Sequence, residues 1–240
     1  MMEVSAGRPR YEKVLERMAN ACEKSGRKID DVRLVAVSKF HPAADVERVV
    51  SYGQIDFGEN YVQEAMQKRN ELDLPDLRWH MIGHVQSRKA PAVAGKFVLL
   101  HTLDSIKLSN ALEKTLNSKN IGQTALIEVN IGGEEQKSGV MANELPQLVE
   151  HVLAHCPHLK LEGLMCLPPV FDAGEAARPF FARLRLLRDE LRKNFDLPLP
   201  QLSMGMSGDF EWAIAEGATI VRVGTDIFGP RPPKMRDGLI

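Results

Sequence analysis

Residues 33–58 read RLVAVSKFHPAADVERVVSYGQIDFG, and their hydrophobic pattern indicates the fold of the whole chain. Two short apolar runs, residues 33–37 and 55–58, have the aliphatic and β-branched side chains that are typical of buried parallel strands. Between them, residues 43–52 carry apolar side chains at helical spacing. A strand, a helix and a second strand within about thirty residues are the building block of parallel α/β folds.

The same alternation continues to the end of the chain. Six further strands are predicted at residues 78–83, 98–103, 124–130, 160–167, 201–206 and 219–223. The remaining helices between strands are predicted at residues 62–70, 87–94, 105–117, 142–155, 173–194 and 209–216, and one more at residues 11–25 precedes the first strand. Eight strands with seven intervening helices match a (β/α)8 barrel of about 250 residues. We therefore predict an α/β fold, a single (β/α)8 TIM barrel over residues 1–240 with an extra N-terminal helix.

Composition excludes several classes of function. The 31 basic and 32 acidic side chains give a net charge of −1, so the chain lacks the electrostatic signature of a nucleic-acid or membrane-surface protein. No apolar run approaches the roughly 20 residues that span a bilayer. The N-terminal sequence MMEVSAGRPRYEKVLERM is charged where a signal peptide is apolar. We expect a cytoplasmic protein.

Cysteine and histidine spacing gives no support for a metal. The three cysteines, which have no Cys-x-x-Cys spacing and are expected to be buried thiols, are Cys22, Cys156 and Cys166. Three histidines could share a helix face, but imidazoles also favour the C-terminal end of a helix, and these are His151, His155 and His158. We predict no metal site.

Functional residues of such barrels lie at the carboxyl ends of the strands. The first strand ends in Val37-Ser38-Lys39. A lysine that is partly desolvated at the barrel mouth has an available amine, which makes Lys39 a candidate for Schiff-base formation. The alternative is a lysine whose side chain simply extends from the strand end into water.

The loops after strands seven and eight suggest what this lysine binds. They contain Met206-Ser207-Gly208 and Gly224-Thr225, at the two places where barrels commonly hold a phosphate. The alternatives are a helix N-cap for Ser207 and a turn glycine for Gly224. A lysine facing a phosphate site suits a phosphorylated aldehyde, of which pyridoxal 5′-phosphate (PLP) is the obvious one. Arg222 suits the same ligand, since an arginine keeps the pyridine nitrogen unprotonated; the alternative is an arginine in a salt bridge inside the barrel.

Seven segments carry a resemblance to a known family: residues 37–39 (VSK), 57–64 (FGENYVQE), 79–86 (WHMIGHVQ), 137–139 (KSG), 163–165 (GLM), 202–207 (LSMGMS) and 221–225 (VRVGT). With them, the chain closely resembles the pyridoxal phosphate homeostasis protein family, from the first helix through Gly229. The resemblance implies a fold-type III barrel similar to the N-terminal domain of alanine racemase. It also implies that Lys39 carries PLP as an internal aldimine.

The resemblance further implies a set of cofactor-binding residues. In it Ser207, Gly224 and Thr225 hold the phosphate, Arg222 faces the pyridine nitrogen and Asn60 lines the ring pocket. Met165 and Met206 pack around the ring. Lys137 and Lys234 lie where family members have further basic groups. We interpret both as solvated loop lysines in preference to a second contact with PLP.

PLP does not by itself define a reaction. Racemases of this fold type use the lysine and a tyrosine on opposite faces of the cofactor, and in relatives that racemise the tyrosine comes from a second β-domain. The sequence ends soon after its last predicted strand, so we expect that domain to be missing and the protein to be a monomer. Tyr11 and Tyr52 lie in predicted helices, and Tyr61 has no evident approach to the opposite face.

We therefore predict a PLP-binding protein without strong catalytic activity. It would act in vitamin B6 homeostasis by buffering PLP or delivering it to apo PLP-dependent enzymes. Three alternatives remain open: a monomeric amino-acid racemase, a Schiff-base aldolase that acts on a sugar phosphate, and an adaptor that binds a partner through its outer helices.

Overall fold

Eight parallel strands form a closed barrel in the computed structural model, which describes residues 4–169 and 174–230. The strands pair in chain order, and the last pairs with the first. They are β1 Arg33–Val37, β2 Asp56–Glu59, β3 Arg78–Met81, β4 Leu99–Leu103, β5 Gln123–Val129, β6 Leu159–Cys166, β7 Gln201–Ser203 and β8 Ile220–Val223. The predicted (β/α)8 barrel is confirmed.

Helices surround the strands. They are α1 Val4–Lys24, α2 Ala43–Val50, α3 Val62–Leu72, α4 Ala90–Val93, α5 Ile106–Lys119, α6 Leu145–His155, α7 Arg178–Phe195, α8 Phe210–Ala215 and α9 Thr225–Phe228. The predicted N-terminal helix is present and packs against α8 and α9, next to the loops that follow the last two strands. No helix among these described segments is long and apolar enough to cross a bilayer.

Two hydrophobic layers hold the barrel together. The larger one lies between the strands and the helices, and it includes fully buried side chains such as Phe57, Leu112 and Phe181. The smaller one fills the inside of the ring with five buried residues, Val35, Leu99, Leu126, Met165 and Ile220. Because side chains alternate along a strand, β1, β4, β5, β6 and β8 each contribute to both layers.

Proline and glycine explain where helices differ from the prediction. The predicted helix 142–155 begins at Leu145, with Pro146 in its first turn, where proline is tolerated. Predicted helix 87–94 is a 3-10 turn, Ser87–Lys89, followed by the single turn of α4, and the chain then leaves the helix at Gly95 with a φ of 73°.

Other boundaries shift for similar reasons. Strand β7 stops at Ser203 instead of residue 206, because Gly205 adopts a φ of 94° and turns the chain towards α8. Helix α7 begins at Arg178 after a 3-10 turn, Gly174–Ala177, and residue 173 lies outside the described residues. The short helix α9 was not predicted.

Gly163 marks the point where β6 changes its register against β5. Its φ is 155°, and a Cβ atom there would lie 1.8 Å from the carbonyl oxygen of Gln201 in β7. Only glycine therefore allows β6 and β7 to pair at this bulge.

We expect Gly163→Ala to lower the free energy of unfolding by about 2–4 kcal/mol, because the new methyl group forces β6 and β7 apart. Urea denaturation followed by circular dichroism measures the change. Gly122→Ala is the matched control, since a Cβ there would make only an ordinary contact at 3.8 Å. Equal stability of the two variants would contradict the role of Gly163.

Candidate functional site

The carboxyl ends of β1 and β8 meet at the barrel mouth. The two strands pair with Val35 opposite Arg222 and Ala36 opposite Val223. Beyond this pairing, a Cβ atom on Gly224 would lie 3.1 Å from the carbonyl oxygen of Val37. A glycine thus lets the loop after β8 approach the residues that lead into Lys39.

The backbone on both sides of Lys39 is held from β2 and α3. The Ser38 amide donates to the Gly58 carbonyl at 3.1 Å, and the Phe40 amide donates to Glu64 Oε1 at 2.6 Å. Phe40 has a φ of 67°, a strained value for a non-glycine residue. Lys39 is half-buried between these two anchored neighbours.

A buried ion network lies directly beneath this segment. Lys68 Nζ donates to Glu59 Oε1 at 2.6 Å, to Glu64 Oε1 at 2.8 Å and to the Ser38 carbonyl at 2.7 Å. The Ser38 hydroxyl also donates to Glu59 Oε1, at 2.6 Å. Burial raises the pKa of Glu59, and the Lys68 ammonium opposes that shift only in part. The network connects β1, β2 and α3 under the candidate lysine.

Asn60 follows β2 at the mouth. Its backbone lies against Gly83, where a Cβ atom would be 2.2 Å from the Asn60 carbonyl oxygen. The side-chain oxygen, Oδ1, is buried and has no hydrogen-bond partner among the described residues. Such an atom is costly unless a partner is supplied from outside the chain.

One arginine of α1 brings the two candidate phosphate loops together. Arg17 Nη2 donates to the Ser207 carbonyl at 3.0 Å, and Nη1 contacts Asp226 Oδ2 at 2.5 Å. Arg17 Nε contacts Glu211 Oε1 at 2.6 Å, and its guanidinium lies 4.4 Å from the Phe210 ring centroid. The loops after β7 and β8 are therefore within the reach of one guanidinium.

Exposure differs among the residues of these loops. The side chain of Met206 is 40% exposed, and its amide donates to Asp209 Oδ1 at 2.6 Å. Ser207 is half-buried and Thr225 is exposed. Both hydroxyl-bearing residues lie at the mouth, where a ligand can reach them.

Arg222 lies inside the barrel and is 4% exposed. Its Nη1 donates to Ser203 Oγ at 2.5 Å, and its Nη2 donates to the Cys166 carbonyl at 3.0 Å. Burial lowers the pKa of its guanidinium. No ion pair joins Arg222 to a carboxylate in the described part of the chain, so the structure does not support the alternative of a salt-bridged arginine.

Two further predicted residues have separate positions. Met165 is fully buried in the inner apolar layer of the barrel. Lys137 pairs with Glu134 at 2.5 Å and donates to the Pro168 carbonyl at 3.1 Å, so it is fixed in its loop. Lys234 lies outside the described residues.

Comparison with known proteins identifies the family. The family model described as alanine racemase, N-terminal domain, matches residues 14–232. A pyridoxal phosphate homeostasis protein of Aquifex aeolicus is 46% identical over 222 residues, which cover 92% of this chain and 97% of that protein. This chain belongs to the pyridoxal phosphate homeostasis protein family.

Solved structures agree with this membership. PipY of Synechococcus elongatus PCC7942, with PLP bound, is 36% identical with a TM-score of 0.75, and the match covers 90% of this chain and all of PipY. An alanine racemase of Clostridium difficile 630 has a TM-score of 0.72 at 14% identity, over 92% of this chain and 56% of the racemase. The racemase likeness shows the fold alone.

Within this family fold, the structure gathers most of the predicted residues at one end of the barrel. Arg17 joins the loop that contains Ser207 to α9, which begins at Thr225 directly after Gly224, and Gly224 lies beside the strand end that leads into Lys39. The binding roles of these residues stay predictions.

Sequence reasoning missed the residues that support the site. Glu59 stands within the recognised segment FGENYVQE, but its partner Lys68 is nine residues away on α3. Arg17 comes from a helix outside the eight repeats. A usable signal existed for Glu59, since a carboxylate that ends a short apolar strand needs a cation when it is buried.

Lys68→Met tests the network below Lys39. We expect it to lower the free energy of unfolding by about 3–5 kcal/mol, because it leaves Glu59 buried without its cation. The double variant Lys68→Met/Glu59→Gln should regain much of this loss, since no buried charge remains. Urea denaturation gives both values. Lys107→Met, on the exposed face of α5, serves as control; a similar loss there would contradict the interpretation.

Arg17→Met tests the connection between the two loops. The methionine retains an apolar stem on Phe210 but removes the bonds to Glu211, Asp226 and the Ser207 carbonyl. We expect faster amide hydrogen exchange in residues 205–209 and 224–228, with a stability loss of about 1–3 kcal/mol. Arg8→Met, which removes an exposed ion pair of the same helix, should leave both loops unchanged. Unchanged exchange in the Arg17 variant would refute the connection.

Proposed function

We propose that this chain binds PLP at the barrel mouth and holds it by a Schiff base on Lys39. The observation that carries the proposal is the anchored segment 38–40 at the end of β1, within a family whose relative PipY has been solved with PLP bound. A lysine with fixed neighbours loses little conformational freedom on binding, which favours a stable adduct.

The described residues fit the chemical groups of PLP. Lys39 offers an amine for the aldehyde, and Asn60 offers a buried oxygen that has no partner among the described residues. Arg222 offers a guanidinium inside the barrel, and Ser207 and Thr225 offer hydroxyl groups on the loops that Arg17 joins. Bound PLP supplies an electrophilic carbonyl and an electron-accepting ring.

Arg222 defines which PLP chemistry this site favours. A guanidinium does not give up its protons in a protein, so its N–H groups can donate a hydrogen bond to the pyridine nitrogen but do not transfer a proton to it. An unprotonated ring withdraws electrons less strongly than the pyridinium that a carboxylate partner maintains. This arrangement supports a weakly catalytic PLP site.

The tyrosines favour a carrier over a racemase. Tyr11 is buried, and its hydroxyl donates to Gln54 Oε1 at 3.1 Å; Tyr52 packs against it with ring centroids 6.0 Å apart. Tyr61 is 50% exposed and packs against Phe40, the residue that follows Lys39, with ring centroids 5.6 Å apart. The tyrosine beside the lysine segment is thus half-exposed to solvent and in contact with the Phe40 ring, which is a poor place for a second base.

We infer that the protein buffers PLP or delivers it to apo PLP-dependent enzymes, as a cytoplasmic monomer. The three free, buried cysteines are consistent with a reducing compartment. Sedimentation with and without PLP measures the oligomeric state, and a dimer would overturn that part.

Lys39→Ala tests the proposed linkage. Wild-type protein mixed with PLP should show the absorption band of a Schiff base, and borohydride reduction should fix a pyridoxyl phosphate group on the peptide that contains Lys39. The variant should lose the band and the adduct because its side chain has no amine. Lys160→Ala, an exposed lysine at the start of β6, should keep both.

Three results would contradict the proposal. A wild-type protein that stays colourless after PLP addition would show that the chain does not form the proposed Schiff base with PLP. A sugar fragment trapped on Lys39 would support the aldolase. Enzyme-like α-deuteration of an L-amino acid in D₂O would establish the racemase.

Transfer of PLP to an apo-enzyme faster than free dissociation would support direct delivery, and equal rates would support buffering.

A further inference from the structure

A chain of four hydrogen bonds crosses the interior of the barrel below the mouth. It joins Asp56 of β2, His80 of β3, His101 of β4, Ser203 of β7 and Arg222 of β8, and we call it the interior chain. The distances are 2.8 Å from Asp56 Oδ1 to His80 Nε2, 3.0 Å from His80 Nδ1 to His101 Nε2, 2.8 Å from His101 Nδ1 to Ser203 Oγ, and 2.5 Å from Ser203 Oγ to Arg222 Nη1. Each member is buried.

The two ends of the interior chain determine where its hydrogens lie. A guanidinium can only donate, and an ionised carboxylate can only accept. With both imidazoles neutral, Arg222 donates to Ser203, Ser203 to His101 Nδ1, His101 Nε2–H to His80 Nδ1, and His80 Nε2–H to Asp56. Every hydrogen then points from the mouth towards Asp56, and both histidines carry their proton on Nε2.

The surrounding charges favour this neutral state. Burial raises the pKa of Asp56, but hydrogen bonds from His80 and Arg78 outweigh it and the net shift is downward. Burial lowers the pKa of His80, and Asp56 opposes that shift only in part. Burial lowers the pKa of His101 more strongly, and the nearby cation Arg33 acts in the same direction on both rings. A proton on either ring would add a further positive charge to an interior that already contains Arg222.

We propose that His80, His101 and Ser203 are positioning residues that hold the Arg222 guanidinium in a fixed orientation towards the mouth. The cofactor part of this inference rests on the proposed PLP site. Ser203 Oγ accepts from Arg222 and donates its own hydrogen to His101 Nδ1, which can accept because the His101 proton lies on Nε2 and is donated to His80. A reversed tautomer at His101 would point a hydrogen at Ser203 and leave the Ser203 hydroxyl hydrogen without an acceptor in the interior chain.

The first experiment examines the protein without PLP, so it does not depend on the cofactor. Side-chain ¹⁵N NMR of the histidines at neutral pH should show both His80 and His101 as neutral Nε2–H tautomers, assigned with His80→Gln and His101→Gln. An imidazolium at His80, or an Nδ1–H tautomer at His101, would overturn the interior chain as described.

The second experiment measures the effect on Arg222. Ser203→Ala removes one hydroxyl, and we expect it to weaken PLP binding about tenfold, the effect of losing one hydrogen bond to a charged group. His101→Leu should have a similar effect. His101→Gln, whose amide retains one donor and one acceptor, should stay within about twofold of wild type. Leu126→Met, a volume-conserving change in the same inner layer, is the control.

The outcomes separate the two proposals. If wild type binds no PLP, the proposed function fails and the NMR result alone decides the interior chain. If wild type binds PLP and Ser203→Ala, folded by circular dichroism, binds equally well, the positioning role fails. If His101→Gln loses as much as His101→Leu, hydrogen bonding is not what His101 contributes, and the inference is also refuted.

Discussion

The buried ion pair between Glu59 and Lys68 is the interaction on which the mouth of the barrel depends. Two charges inside a protein are costly to desolvate, and such a pair is stable only when further hydrogen bonds satisfy it. Here Ser38 and Glu64, which flank Lys39 in space, supply further bonds to Glu59 Oε1 and to the Lys68 ammonium, whereas Glu59 Oε2 is buried without a hydrogen-bond partner among the described residues. The cost of burying the pair is thus linked to the fixed position of the lysine segment, and a hydrophobic replacement of equal volume could not hold Ser38 and Phe40 in place.

The inside of the barrel shows a second use of the same principle. Most small barrels fill this space with branched apolar side chains, and four such residues are present in this one together with Met165. Beside these residues lies the interior chain of hydrogen bonds, which joins Asp56, His80, His101, Ser203 and Arg222. A half-satisfied polar network would be less stable than an apolar core, whereas a fully satisfied one fixes a single arrangement. Arg222 bonds directly to Ser203 of β7 and to the Cys166 carbonyl of β6, and through Ser203 it is connected to β4, β3 and β2.

The sequence predicts local structure well and long-range contacts poorly. The eight strands follow from apolar runs such as residues 33–37, because burial on both faces leaves a continuous hydrophobic signal. The end of β7 depends on the positive φ of Gly205, and a glycine in sequence does not state its φ. Lys39, Ser207 and Arg222 could be found because strand ends identify the mouth. The contact of His101 with Ser203 could not, since it spans 102 residues and exists only once the ring has closed.

The distribution of charge at the two candidate phosphate loops bears on how the proposed PLP site would retain or release its ligand. Arg17 is the cation that joins the loops, but it faces Glu211 and Asp226, so its charge is balanced within the chain. A phosphate held there by neutral hydroxyl and backbone donors is bound less strongly than one paired with an uncompensated arginine. If PLP is held by the Schiff base proposed at Lys39, the hydrolysis of that bond or its exchange with another amine would set the rate of release. A carrier needs this division between a reversible covalent bond and a modest phosphate site.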